Sequence, residues 1–543
     1  MTERLLVAGS NSGFQLGVGH KDDVRTLQEA RCQLDARGPD GKPLIGTFPP
    51  QGYTVAAVSS GANHTLALLR PVGWTETLSG HSGLAEVWVC GSGKEGQLGP
   101  AYAAKRARQP KVFTRLDLAE CLASLPEEDR RAFSGKDVEP SFVQCGWTCS
   151  YVVLATATAT SEQSEVVSFG FHRDHHFGEL GRPAPVDTDV GAPTDGVERC
   201  VHRVRLECLF EQVRLDADGY FEVEGIAAGL RHAIVALKYS NADYETTHAI
   251  VAGWGSARHS QVGNAIKRPS TARPPDKKRR AYVPKVVWEP QRMWSAEEGG
   301  GVWHFLDLAA GRDHSIILLT KYDRGGERRV RTINFGSNYK GQLMDAPAVC
   351  FVDGDPEDLI AVSCNWTSTH VLLEAGRCYV NCERIAHAVA SCGSNSKGQL
   401  GDGTRESIAG DYGVTLVDLE TVLNHRPTSV AGTADSERFP ETEELSVSKM
   451  ASGSEHTLLL VRRDLDTSLG FPYASTKEVW GFGWNEHGNL AQGEHDESDR
   501  DRPVPLINGS RSGAASAYSP LDIWAGNGTS FIRVEQRPGA PTT

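Results

Sequence analysis

One phrase recurs seven times along this chain: a short β-rich run, a glycine, a polar turn, and then Gln-Leu-Gly or a near variant. It reads LLVAGSNSGFQLG from Leu5, VWVCGSGKEGQLG from Val87, VVSFGFHRDHHFGELG from Val166 and AIVAGWGSARHSQVG from Ala249. It returns as TINFGSNYKGQL from Thr332, VASCGSNSKGQLG from Val389 and VWGFGWNEHGNL from Val479. A second phrase alternates with the first: a small residue, a glycine, two variable residues, commonly a histidine, and then an apolar run. Gly61, Gly146, Gly229, Gly311, Gly453 and Gly526 open six copies, and Asn365 stands in the glycine's place in the other.

Short apolar runs punctuated by glycines, where the backbone needs positive φ or a close approach, are how propeller blades are written. One small sheet cannot bury both faces, so neighbouring blades must stack and the ring must close to protect its edges. The expectation is an all-β, seven-bladed β-propeller spanning residues 1–543 as one domain. The strand near Leu5 to Ala8 is expected to complete the blade that holds the strand near Ser530 to Val534. The copies are unevenly spaced, with insertions expected at about 101–140, 182–200, 256–302 and 403–446. The first of these holds a helix-like stretch, LDLAECLASLPEEDRRAF.

A formal charge of −13 makes nucleic acid a poor default partner for the chain as a whole. Twelve scattered cysteines without a C-x-x-C read as reduced, mostly buried thiols. The N-terminus, MTERLLVAGSNSG, lacks a signal-peptide core, and no apolar run is long enough to span a membrane, so a cytoplasmic or nucleocytoplasmic location is expected.

The tempting catalytic motifs dissolve into the repeat. Gly91, Gly93 and Gly96 spell G-x-G-x-x-G, but the repeat supplies these glycines and no helix is expected after them. His64, His232, His314 and His456 share one repeat position and are read as structural, hydrogen-bonded within each blade, because separate blades hold them too far apart for one metal. His172, His175 and His176, beside Glu179, read as a solvated polar loop. The sequons at Asn63, Asn365 and Asn527 lie inside the repeat phrase. The tract KRPSTARPPDKKRR, from Lys267 to Arg280, reads as a solvated basic loop, with a nuclear signal or an acidic-surface contact as the alternative. No catalytic constellation emerges; neither intrinsic catalysis, nor a metal, nor a cofactor is expected.

The positions after the repeat glycine form a ring: Ala62, Trp147, Leu230, Arg312, Trp366, Ser454 and Asn527, followed by Thr148, Arg231, Asp313, Thr367 and Glu455. If the blades superpose, these side chains gather near one channel mouth. Trp147, Thr148, Arg231, Arg312, Trp366, Thr367 and Glu455, with Trp484, Glu486 and His487, are therefore the candidate partner-binding residues. A gap-filling role for the tryptophans between blades is the competing reading.

These repeats resemble the regulator-of-chromosome-condensation family. VAGSNSGFQLGVGHKDD, CGWTCSYVV, CNWTSTHVLL, and ASGSEHTLLL followed by VWGFGWNEHGN are similar to its fungal alpha-tubulin-suppressor branch, also known for killer-toxin insensitivity. The resemblance implies a non-catalytic scaffold that pairs with a small CSL-type zinc protein. That pair would support diphthamide synthesis on elongation factor two and Elongator-dependent modification of tRNA wobble uridines, with any metal in the partner and any tubulin link indirect. The alternatives are guanine-nucleotide exchange on a Ran-type GTPase, the activity of the family's namesake, and a cytoskeletal or ubiquitin-pathway adaptor.

Overall fold

The structure is a computed structural model that describes residues 2–74, 84–103, 109–157, 162–182, 199–213, 215, 219–241, 247–263, 280–288, 303–322, 325–344, 359–374, 385–409, 413–425, 444–464, 475–508 and 517–537. Seven antiparallel sheets stand around a central channel. Blades 1, 2, 3, 5 and 6, within residues 53–115, 137–204, 220–288, 359–416 and 444–507, have four strands each. Blade 4, within residues 304–336, has three among the described residues. Blade 7 joins both ends of the chain: Glu3–Gly9 lies between Val24–Glu29 and Thr529–Gln536, with Tyr518–Gly526 innermost. Its register sets Leu5 opposite Arg533, Leu6 opposite Ile532, Val7 opposite Phe531 and Ala8 opposite Ser530, the closure expected from the two terminal phrases.

Strand character follows position in the blade. The first strand of each blade is only partly buried, as in Tyr53–Ser60, because it is the innermost strand and borders the channel. The second is buried on both faces, so His64–Pro71 and His314–Tyr322 read as nearly continuous apolar runs. All seven first strands also carry a register shift, as between Val55 and Ala57, Phe305 and Asp307, and Pro520 and Asp522. An extra residue there sharpens the local twist, which fits narrow inner strands around a tight axis. No sequence signal marked these bulges.

The two phrases use glycine for different reasons. Gly336 ends a third strand at φ +113, and a Cβ there would lie 2.3 Å from the Asp313 carbonyl oxygen. Gly311 needs no unusual φ; its missing Cβ would lie 2.1 Å from the His314 ring and 2.4 Å from the Asn365 carbonyl of the next blade. Positive φ thus shapes the first phrase, and close approach between blades shapes the second.

Polar side chains fold the turns. Gln15, Gln97, Gln261, Gln342 and Gln399 each accept from the backbone N–H two residues earlier, and Glu179 does the same in blade 2. Asn11, Asn338, Asn395 and Asn485 accept from the backbone N–H of Leu16, Leu343, Leu400 and Leu490. The repeat motif is therefore a hydrogen-bonded turn written in side chains.

Three expectations need correction, and one element was not expected. Three of the four shared histidines bond across blades: His232 Nε2 meets Ser315 Oγ at 2.8 Å, His314 Nε2 meets Thr369 Oγ1 at 3.1 Å, and His456 Nε2 meets Ser530 Oγ at 3.0 Å, while His456 Nδ1 also meets Asn489 Nδ2 of its own blade at 3.5 Å. Those hydroxyls donate back to the Gln261, Gln342 and Asn489 carbonyls of the preceding blade, so the imidazole must be the donor. His175 and Glu179 are buried, not solvated, and His175 is held by the carbonyls of Phe171 and Thr148. A one-turn helix, Pro100–Ala103, does follow the G-x-G-x-x-G glycines. A hairpin of Arg31–Arg37 with Pro43–Thr47, unseen in the sequence, packs beside blade 7.

The helix-like stretch of the first insertion forms Leu118–Ala123, capped by Asp117, and Glu127–Arg130. Its buried Asp129 is paired with Arg182 and Arg205. The tract 267–279 and residues 183–198 lie outside the described residues, as do parts of 256–302 and 403–446. Cys32, Cys90, Cys121, Cys145, Cys149, Cys200, Cys364 and Cys392 form no disulfide and are buried, while Cys208 is half-buried. Among the described residues, no helix is long and apolar enough to cross a membrane.

Candidate functional site at the channel mouth

The two repeat phrases meet on one face of the ring. The residue after the first-phrase glycine donates its backbone N–H to the turn of the second phrase, as Ser92 to Asn63, Ser256 to Arg231, Ser337 to Asp313, Ser394 to Thr367 and Trp484 to Glu455. The ring positions also join blade to blade, through Ala62 N–H to Trp147 O, Arg312 N–H to Trp366 O and Trp366 N–H to Ser454 O. Fixed turns thus surround the channel mouth, each offering variable side chains.

Trp147 of blade 2 and Trp366 of blade 5 meet at that mouth, their ring centroids 5.4 Å apart and tilted by 55°. Their blades stand on opposite sides of a seven-membered ring, so this contact can form only on the axis. Both line a cavity of about 110 Å³, walled elsewhere by small residues such as Ser59, Gly229, Ala310 and Gly453. The indoles cap the channel. They also remain partly exposed to solvent.

The Arg312 guanidinium lies 5.8 Å from the Trp366 ring and pairs with Asp313 at 3.5 Å. Arg231 lies 4.2 Å from the Phe177 ring. Glu455 accepts from Thr367 Oγ1 at 3.2 Å and from Gln399 Nε2 at 2.8 Å. Burial pushes its carboxyl up to about 7, against these hydrogen bonds and the nearby Arg312 and Lys397 charges. Thr148 Oγ1 faces His175 Nε2 at 3.3 Å and serves the turn of blade 2.

Trp484, Glu486 and His487 form a second cluster on the same face. The Trp484 indole packs against His487 with centroids 5.1 Å apart and donates to Glu486 Oε2 at 3.1 Å. His487 Nδ1 reaches Asp23 Oδ2 at 2.8 Å, which ties the cluster to blade 7. All ten candidate side chains therefore lie on one face, seven around the mouth and three toward blades 6 and 7.

Sequence reasoning missed Arg258, His259, Tyr339 and Lys340, at the outer turn tips of blades 3 and 4. Aligning those tips as the inner ring was aligned would have found them. Asn365 is buried and donates to the Gly453 and His456 carbonyls of blade 6, so its sequon serves blade packing. Among the described residues, no group of three or more His, Cys, Asp or Glu side chains could hold a metal ion. What the face offers chemically is recognition: aromatic surface, guanidinium groups and a carboxyl with an elevated pKa on a rigid frame.

Seven blades closed through both termini and written on these two phrases define a propeller of the regulator-of-chromosome-condensation (RCC1-like) type. Over 510 residues the chain is 24% identical to the secretion-regulating guanine nucleotide exchange factor of Bos taurus, covering 92% of this chain and 78% of that protein. The Mus musculus protein of the same name is 24% identical over 517 residues, with the same coverage. Among solved structures, human WBSCR16 superposes with a TM-score of 0.52 at 16% identity, over 99% of this chain and 100% of that one. Prp20p of Saccharomyces cerevisiae, solved in a study of its binding to Gsp1p and histones, superposes with a TM-score of 0.50 at 13% identity, over 99% and 92% of the two chains. No family model matches the chain.

Proposed function

We propose that this protein is a guanine-nucleotide exchange factor for a small GTPase of the Ran type, acting through the turn face by binding rather than by covalent chemistry. The observation that carries this reading is the similarity, along 92% of the chain, to a relative named as a guanine nucleotide exchange factor. Exchange by this route needs no acid, base or nucleophile. A platform that binds the nucleotide-free GTPase more tightly than the loaded one weakens nucleotide binding by the same factor. Trp147 and Trp366, with Arg312 beside them, supply the aromatic and guanidinium anchors that concentrate binding energy at interfaces. The reading places the protein in the cytoplasm or the nucleus.

The scaffold reading, with a small CSL-type zinc protein as partner and a role in diphthamide synthesis and wobble-uridine modification, rests on the tryptophan-bearing phrases at Trp147 and Trp366. It competes for the same face. Release of a fluorescent GDP analogue from a Ran-type GTPase separates the two. Acceleration by the wild-type chain, lost in the W147A/W366A variant, is the expected result. No acceleration at micromolar protein, together with capture of the zinc protein, would overturn the exchange reading in favour of the scaffold.

A further inference from the structure

The turn tips of blades 3 and 4 combine guanidinium groups with an exposed tyrosine. Arg231, Arg258, Arg312 and Lys340 are exposed there, beside Tyr339, whose side chain is 86% exposed. Backbone hydrogen bonds and a ring contact knit them into one patch. The Ser256 N–H that opens the outer turn of blade 3 donates to the Arg231 carbonyl, and Leu230 N–H donates to the Arg312 carbonyl across the blade boundary. The His259 and Tyr339 rings bridge the outer tips, with centroids 6.1 Å apart.

The charges of this patch are weakly compensated. Arg312 has Asp313 at 3.5 Å, but among the described residues Arg231, Arg258 and Lys340 have no carboxylate within ion-pair distance. Arg231 covers the Phe177 ring instead. The contrast within the face is plain at blades 5 and 6, where Lys397 and Arg405 share Asp499. In a chain of formal charge −13, three cations around one exposed tyrosine thus have no carboxylate within ion-pair distance among the described residues.

We propose that this blade 3 and 4 sector is the docking surface for an extended, acidic peptide segment of a protein partner, with Tyr339 as its apolar anchor. The proposal rests on the reading of the turn face as the partner-binding face and names the chemistry of what binds there. Guanidinium groups pair bidentately with carboxylates, and a tyrosine offers a rigid contact at low entropic cost. Spread over adjacent tips, these groups suit a strand-like segment rather than a single ion. A nucleic acid is the less fitting polyanion, because its backbone charge continues past the patch over the acidic remainder of the chain, whereas the acidic run of a peptide can end with the patch.

The test uses the full chain and a fluorescein-labelled, Glu-rich peptide interspersed with leucine, its Gln-rich counterpart, and an oligo-dT of similar length. Anisotropy is expected to show binding of the Glu-rich peptide alone, weakening as salt rises from about 50 to 300 mM. The R231E/R258E/K340E variant should lose at least tenfold in affinity, and Y339A about threefold. K21E/K94E/K111E, an equal charge change on the blade 7 and 1 side of the same face, should stay within twofold of wild type. Circular dichroism confirms folding of each variant. Equal losses in the two triple variants, equal binding of the Gln-rich peptide, or equal binding of oligo-dT would overturn the proposal. Nucleotide release is assayed in parallel. If release fails while the peptide still discriminates the variants, the exchange reading falls and this inference stands; if release proceeds while the variants bind alike, this inference alone falls.

Discussion

Trp147 and Trp366 touch across the axis of the propeller, with ring centroids 5.4 Å apart, although they come from blades on opposite sides of the ring. The contact closes one end of the channel and leaves aromatic surface facing solvent. A gap-filling tryptophan would lie between neighbouring blades, whereas these two rings meet across the axis.

Replacing both tryptophans by alanine is expected to weaken partner binding by more than tenfold, about 2 kcal/mol, as at interface hot spots. Blade packing lies outside the pair, so the thermal midpoint should move little. Titration calorimetry and thermal unfolding of the W147A/W366A variant check the two halves of this expectation.

Ring closure depends on the terminal strands. Leu6 and Ile532 face each other in the register of blade 7, exposed to 3% and 0%. Either residue changed to alanine should cost about 2–5 kcal/mol. The double variant should cost less than the sum, because the two sites share contacts. Denaturant unfolding of L6A, I532A and the double variant measures this coupling.

The inter-blade histidines make stability depend on acid. Burial holds His232 and His456 down at about 4 and His314 at about 3, below the ordinary value of 6.5. Between about pH 6.5 and 4 the unfolded chain binds these protons and the folded chain does not, so stability is full above 6.5 and falls as pH drops through that window. Unfolding at pH 5 should take up nearly one proton per buried histidine. The H314Q variant, measured by unfolding across pH, should flatten the slope by about one proton.

Gly311→Ala should cost more than 2 kcal/mol, since its Cβ would lie 2.1 Å from the His314 ring and 2.4 Å from the Asn365 carbonyl. Gly326, at φ +81, has open space around its Cβ position, so any cost of Gly326→Ala should come from backbone strain alone, about 1 kcal/mol. Thermal unfolding of the two variants separates close approach from φ.

Much of the fold was legible in the residues. The alternation of two phrases, the glycines at Gly311 and Gly336, and the apolar runs such as HTLALL from His64 report strand count and order, because each is a local requirement of a blade. The bulges in the first strands and the Arg31–Thr47 hairpin were not legible. A bulge depends on how tightly the inner strand must curve, and the hairpin forms where the Gln33 N–H donates to the Phe113 carbonyl and the Phe113 N–H to the Arg31 carbonyl across distant segments.

The candidate site divides in the same way. Arg312, Trp366 and Glu455 could be assigned to ring positions from sequence, since each follows a repeat glycine or its substitute. That Glu455 would titrate near 7 could not, because its burial and its bonds to Thr367 and Gln399 come from different blades.

The sequence alone determined seven blades and a closure through both termini, because strand periodicity and tight turns are written within a few residues of each other. Tertiary structure alone decided that the histidines would lock neighbouring blades, that Trp147 would meet Trp366, and that Arg258 and Tyr339 would join the face. Those relations are set by the ring's closure angle and by distances across it, which no local stretch of chain encodes.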